Sequence, residues 1–192
     1  GVMSYAASFE SVKEAAERIK GAAHVTPVMT CESLDRMSGK TLLFKCENFQ
    51  KGGAFKFRGA YNAVARHMEG GGQGPIVTHS SGNHAQAVAK VTGMKGIVSY
   101  IIMPENAPKV KVDAVREYGA NIITCGNAPA DRARVAEETA KQYPGSFMMP
   151  SYNHPDVMSG QGTLMLELIE QAGEKLDAVI VPVGGGGMLS GC

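Results

Sequence analysis

The stretch Ile76-Val77-Thr78-His79-Ser80-Ser81-Gly82-Asn83-His84-Ala85-Gln86-Ala87-Val88-Ala89-Lys90-Val91 reads as a strand, a polar turn and a helix. Ile76–His79 is short and β-branched, and Asn83–Val91 is alanine-rich and followed by Gly93, which marks a helix end. The alternation then continues. Ile97–Met103 reads as a strand, Lys109–Tyr118 as a helix ended by Gly119, and Asn121–Cys125 as a strand. Asp131–Tyr143 follows as a helix, Phe147–Met149 as a strand, Gly162–Gln171 as a helix and Ala178–Val183 as a strand. Strands separated by helices of this length pair in parallel through right-handed crossovers. The expected class is α/β, with open parallel sheets and flanking helices, and ligands beyond the carboxyl ends of the strands.

Toward the amino terminus, Ser11–Lys20 reads as a helix. Ser11 and Glu14 have capping-box spacing, and Val12, Ala15, Ala16 and Ile19 form its apolar stripe. Thr41–Cys46 reads as a strand, and Phe57, Ala60, Tyr61, Val64 and Met68 recur at helical spacing. The glycine-rich segment Glu69–Pro75 is a connector. Residues 67–150 are expected to form a small α/β subdomain, and 1–66 with 151–192 to belong to a larger domain.

The 192 residues are 44% hydrophobic and 19% charged, the composition of an ordinary folded protein. A net charge of +1 provides no footprint for nucleic acid. No apolar run approaches the roughly 18 residues of a membrane span, and no secretory pattern opens the chain. Cys31, Cys46, Cys125 and Cys192 lack CxxC spacing and read as reduced thiols, so a cytoplasmic location is expected. Val179–Val183 runs straight into Gly184-Gly185-Gly186-Gly187, and Met188–Cys192 is barely one helical turn. A chain truncated at its C-terminal end is expected, with a frayed natural tail as the alternative.

Three segments carry chemistry. A strand, a glycine run and a helix start form a recipe for phosphate, because glycines let the backbone N–H groups approach an anion. A plain turn is the alternative. GxGxxG does not fit Gly184–Gly191, and Leu34 stands where a P-loop ending in Gly39-Lys40-Thr41 needs its first glycine. The second segment, Gly52–Ala60, puts Lys56 between Phe55 and Phe57 at a helix start, with Lys51 and Arg58 nearby. Helix position, neighbouring cations and apolar rings would all favour an uncharged, nucleophilic amine. An ordinary surface lysine is the alternative. In the third, Ser80–His84 opens a helix and suits a carboxylate, or is simply capped by Ser81. His84 reads as a structural hydrogen-bonding residue, since no metal-ligand spacing surrounds it.

Together these segments resemble the fold-type II pyridoxal-phosphate (PLP) enzymes of the serine racemase and serine/threonine dehydratase group, whose fold is tryptophan synthase β-like. The matching segments, in order, are Thr26-Pro27-Val28, Phe44-Lys45-Cys46-Glu47, Gln50–Ala60, Thr78–His84, Ala107-Pro108 with Lys111, Tyr118-Gly119-Ala120, Gly160-Gln161-Gly162-Thr163 and Pro182–Gly187. The resemblance implies that Lys56 holds PLP as a Schiff base and acts as acid and base on one substrate face. It implies that Phe55 packs beside the ring, Asn83 bonds the ring hydroxyl, and Gly184, Gly185, Gly186, Gly187 and Met188 hold the phosphate. Ser80, Ser81, Gly82, Asn83 and His84 would receive the substrate carboxylate. Tyr152 or Asn153 falls where a further polar cofactor contact is common.

Ser81 matches the serine that serves racemases as acid and base on the opposite face, where many threonine dehydratases carry alanine. The implied activity is racemisation of serine with β-elimination to pyruvate and ammonia. L-threonine/L-serine ammonia-lyase activity and a non-catalytic fragment are the alternatives. Lys51, Gln86 and Tyr118 match positions of an ATP effector site in some relatives, while Cys31, Glu32 and Gly52 depart from it. No metal ligands are assigned within the chain; a divalent Mg or Ca ion would belong to a full-length parent, as would a homodimer.

Overall fold

The computed structural model describes residues 5–173 and 175–192. Helix α1 (Phe9–Ile19) buries Val12, Ala15 and Ile19, the face its spacing predicts. Its capping box is Ser8 with Ser11, not Ser11 with Glu14: each serine oxygen accepts from the other's backbone N–H, at 3.1 and 2.9 Å. Ser8 supplies the same reciprocal chemistry one turn earlier and so extends the helix.

Strand β1 (Val28–Met29), helix α2 (Glu32–Ser38) and strand β2 (Phe44–Lys45) follow, with β1 and β2 antiparallel. The expected strand Thr41–Cys46 shrinks to two residues because its partner is only two residues long. Two 3₁₀ turns, Glu47–Phe49 and Lys51–Gly53, lead into α3 (Lys56–Glu69).

Next come β3 (Ile76–His79), α4 (Asn83–Lys95), β4 (Ser99–Pro104), α5 (Lys109–Glu117), β5 (Asn121–Cys125), α6 (Pro129–Gln142) and β6 (Phe147–Met148). The sheet order is β5-β4-β3-β6, with every pair parallel. Alternate residues of the central strands face opposite sides. Ile76 and Ile101 join a core with Phe57, Val64, Val88 and Val115, whereas Val77 and Ile102 pack with Ala136. The sheet is thus covered on both faces, which is why its two central strands hold adjacent apolar residues, Ile76-Val77 and Ile101-Ile102, that face opposite sides.

Helix α4 does not end at Gly93. It continues to Lys95 and ends at Gly96, whose φ is 65°. Gly93 serves close packing instead, since a Cβ there would stand 2.5 Å from the Tyr118 carbonyl oxygen.

Helix α7 (Pro155–Ala172) begins seven residues before the expected Gly162, started by Pro155 and capped by His154. A short helix, α8 (Gly187–Gly191), ends the described fold. Ala178–Val183 forms no strand; Ile180 is 93% exposed and Val183 60%. A strand persists only where a neighbour takes its hydrogen bonds, and none lies beside this segment among the described residues. No described helix is long and apolar enough to cross a membrane.

Candidate active site

Lys56 is the first residue of α3 and its side chain is half-buried. Its ammonium donates to the Ser151 carbonyl oxygen at 2.7 Å and lies 5.2 Å from the Phe55 ring centroid. Burial pulls its pKa below the usual lysine value. The neighbouring cations Lys51 and Arg58 turn elsewhere, contrary to the expectation from spacing. Lys51 turns its amine over the Phe57 ring, 5.7 Å from the centroid.

Arg58 points the other way and is fully buried. Its fork donates to Glu47 at 2.8 and 2.7 Å and to Glu167 at 2.7 and 2.8 Å. Lys45 adds a bond of 2.6 Å to Glu167. Burial alone would weaken the Arg58 charge, but its hydrogen bonds to the Glu47 and Glu167 carboxylates more than offset it and raise its pKa. This network escapes a reading of the sequence, because Glu167 is remote in sequence and no local pattern announces it.

The tetraglycine segment reaches the same place as Lys56. A side chain at Gly185 would bring its Cβ to 2.3 Å from the Tyr152 ring, and one at Gly187 to 2.8 Å from the Tyr152 carbonyl oxygen. Gly186 has a φ of 83°. Lys56 therefore bonds residue 151 while the glycines lie on residue 152. Gly184 and Gly185 leave their backbone exposed. Helix α8 is only five residues long, so an anion here would rest on loop amides more than on a helix dipole.

The Ser80–His84 segment leaves the carboxyl end of β3. Ser80 donates its N–H to the Ile102 carbonyl at 3.1 Å, and its hydroxyl accepts from Gly82 N–H at 3.2 Å. The N-cap of α4 is Gly82, not Ser81, and no side chain caps it. Its opening amides therefore face outward without an internal acceptor. Asn83 is exposed, and its oxygen accepts from Lys111 at 2.9 Å, which leaves its NH₂ group as the available donor. Gln86 is buried, and Tyr118 carries the Lys90 ammonium 4.4 Å from its ring centroid. Among the described residues no cluster of three His, Cys, Asp or Glu could hold a metal. A cavity of about 510 Å³ lies elsewhere, at the amino end of the sheet beside His67, Lys95 and Tyr143.

His84 joins the segment to the neighbouring strand. Thr78 Oγ1 donates to the Met149 carbonyl oxygen at 2.6 Å and lies 3.0 Å from His84 Nε2. The hydroxyl has one proton, so Nε2 must donate to it and Nδ1 is a bare acceptor. Burial, reinforced by the Lys56 charge, pushes the His84 pKa down to about 3 from 6.5. A base depressed in this way gives stability that is complete above the unfolded pKa and is lost as pH falls toward the folded one.

Unfolding free energy should therefore drop by about 2 kcal/mol between the unfolded pKa and about pH 5, a window above most carboxylate titration. His79, also depressed by burial and by Arg132, adds a contribution of the same sign. Urea titrations across that window should show a shallower slope in His84→Gln, which keeps an N–H for Thr78. An unchanged slope would place the pH dependence elsewhere.

The "Pyridoxal-phosphate dependent enzyme" family model matches residues 19–192. A serine racemase of Arabidopsis thaliana is 49% identical over 97% of this chain and 56% of its own length. An L-threo-3-hydroxyaspartate ammonia-lyase of Pseudomonas is 46% identical over 96% of this chain and 57% of its own. The crystal structure of a pyridoxal 5'-phosphate-dependent aspartate racemase superposes with a TM-score of 0.94 at 39% identity, covering 99% of this chain and 59% of the other. The chain thus spans a little over half the length of these relatives. A family match over nearly all its residues and a fold shared at that closeness lead to one assignment: the chain belongs to the fold-type II pyridoxal-phosphate dependent enzymes of the serine racemase/threonine dehydratase family.

Proposed function

We propose that this chain carries the cofactor and substrate sites of a serine racemase that also eliminates the β-hydroxyl of serine, giving pyruvate and ammonia. The observation that carries this reading is that Lys56 bonds Ser151 while Gly185 and Gly187 pack on the adjacent Tyr152. The residues present suit PLP. They offer a half-buried amine of lowered pKa, an aromatic ring beside it, and a glycine loop packed so closely on Tyr152 that Gly185 and Gly187 have no room for a side chain. When bound, PLP supplies an electron sink that acidifies the substrate α-proton.

The chain's own groups do the rest. Lys56 holds the cofactor and moves the α-proton at Nζ on one face. Ser81 Oγ, which has no hydrogen-bond partner among the described residues, moves a proton on the other. The amides and hydroxyls of Ser80–His84 take the substrate carboxylate, Gly184–Gly187 and Met188 take the phosphate, and the Asn83 NH₂ serves the ring oxygen. Two acid–base groups on opposite faces make racemisation possible; one suffices for elimination. Residues 67–150 would form the smaller unit closing over this site. Four unpaired thiols suit a cytoplasmic setting, and dimerisation belongs to the same proposal.

Chiral separation of serine after incubation, with pyruvate measured in parallel, tests this. Ser81→Ala should lose racemisation by about 100-fold or more while elimination persists. Equal loss of both reactions, or of neither, would remove Ser81 from this role. The lyase names among the relatives extend the assay to L-threonine and L-threo-3-hydroxyaspartate. Elimination from any of these substrates, with no D-serine formed when L-serine is supplied, would establish the ammonia-lyase alternative. A folded chain without turnover would indicate the non-catalytic fragment.

A further inference from the structure

The motif Gly160-Gln161-Gly162 lies in α7, away from the reacting groups assigned above, yet it touches both helices that carry them. A Cβ at Gly160 would stand 2.6 Å from the Gly59 Cα and 2.7 Å from the Arg58 carbonyl oxygen, in the first turn of α3. A Cβ at Gly162 would stand 2.3 Å from the Gly191 carbonyl oxygen in α8, and one at Gly191 would stand 2.2 Å from the Met158 carbonyl oxygen of α7. Backbone meets backbone on both sides, so neither spacing can yield to a side-chain rotation.

Gln161, between the two glycines, is 1% exposed. Its side-chain oxygen accepts from the Gly59 N–H at 2.9 Å, and its Nε2 has no partner among the described residues. That bond matters because Phe55, the N-cap of α3, offers no side-chain cap. The opening turn of a helix lacks internal acceptors, and here a side chain from α7 supplies one.

We infer that α7 is a strut that sets the spacing between Lys56 and the phosphate-holding glycines, with Gln161 as a positioning residue for the Lys56 turn. The inference rests on the functional reading above. Helix α7 begins three residues after Tyr152, where the two halves of the site meet, and reaches α3 and α8 through successive residues. Each arm should therefore fail separately.

The test strips the cofactor from the holoenzyme and reloads the full chain with PLP or pyridoxal as paired probes. Pyridoxal has the reactive carbonyl without the phosphate. Borohydride trapping and peptide mapping quantify the adduct at Lys56. Gln161→Met, close in volume but without an acceptor, should lower the adduct yield with both probes about tenfold. It should leave competition by inorganic phosphate against PLP unchanged. Gln161→Glu keeps an acceptor oxygen near a helix start and should restore trapping.

Gly162→Ala acts on the other arm. It should weaken PLP about tenfold while pyridoxal trapping stays at the wild-type level. Should Gly162→Ala fail to fold, the Gln161→Met and Gln161→Glu pair still decides. The strut is overturned if Gln161→Met traps both probes as wild type does, or if Gln161→Glu fails to restore trapping. It is also overturned if a folded Gly162→Ala affects PLP and pyridoxal alike. Wild-type protein that forms no adduct at Lys56 would overturn the functional reading instead.

Discussion

Arg58→Met should destabilise the fold by about 3–5 kcal/mol, a large share of the total stability of a domain this size. Arg58 has no exposed surface, and its guanidinium faces two carboxylates that are themselves mostly covered, Glu47 at 13% and Glu167 at 20% exposure. Removing the cation leaves those carboxylates, among the described residues, with one cation between them, Lys45 on Glu167, while Glu47 keeps only the Thr26 hydroxyl at 2.6 Å. Methionine fills much of the volume, so the loss measures the unpaired charges more than a cavity.

Arg58→Lys restores the charge but not the planar fork that serves both acids at once, and should recover only part of the loss. Burial would raise the Glu167 pKa, but Arg58 and Lys45 hold it below the usual carboxylate range. The network's contribution is therefore complete above the unfolded carboxylate pKa and lost as pH falls through the folded one. Urea unfolding at neutral pH gives the free energies. A loss below about 1 kcal/mol in Arg58→Met would mean that the carboxylates relax to solvent and that the network holds little of the fold.

This network also marks the limit of what the chain discloses before it is folded. Elements that carry their own periodicity were legible. Ile76–His79 and Asn121–Cys125 fall where their β-branched residues and the flanking turn residues put them, because Ile76, Val77, Ile122 and Ile123 pack into the two cores on either side of the sheet. Helix α2 was not legible, since it buries none of its residues and so shows no apolar stripe. Val179–Val183 has the composition of a buried strand, but pairing decides strand formation, and a sequence segment does not contain its partner.

At the site, Lys56, the tetraglycine run and Ser80–His84 were each visible as local motifs. What joins them was not. The Ser151 carbonyl that receives Lys56, the Tyr152 ring under Gly185, and the Glu167 carboxylate that draws Arg58 away from the amine are all long-range contacts. Of the three causes the spacing suggests for a lowered Lys56 pKa, burial is the one the structure brings out.

Lys56→Arg should abolish turnover, by on the order of a thousandfold or more, while leaving the fold intact. Arginine is long enough to reach toward the Ser151 carbonyl and keeps the positive charge near His84, so packing and electrostatics change little. What it lacks is a nitrogen that can lose its proton, because guanidinium stays charged even where burial lowers a lysine. Lys56→Ala removes the amine and the charge together. It should also raise the His84 pKa slightly, since the Lys56 charge is one cause of its depression, whereas Lys56→Arg should leave it low. The two variants thus separate nucleophile from charge. Both should lose the borohydride-stable adduct at residue 56, but only the alanine variant should recover turnover when a small primary amine is added, because only it leaves room for one. Turnover retained by Lys56→Arg, or an adduct mapped to another lysine in the wild type, would mean that the amine beside Ser151 is structural and that the chemistry belongs elsewhere.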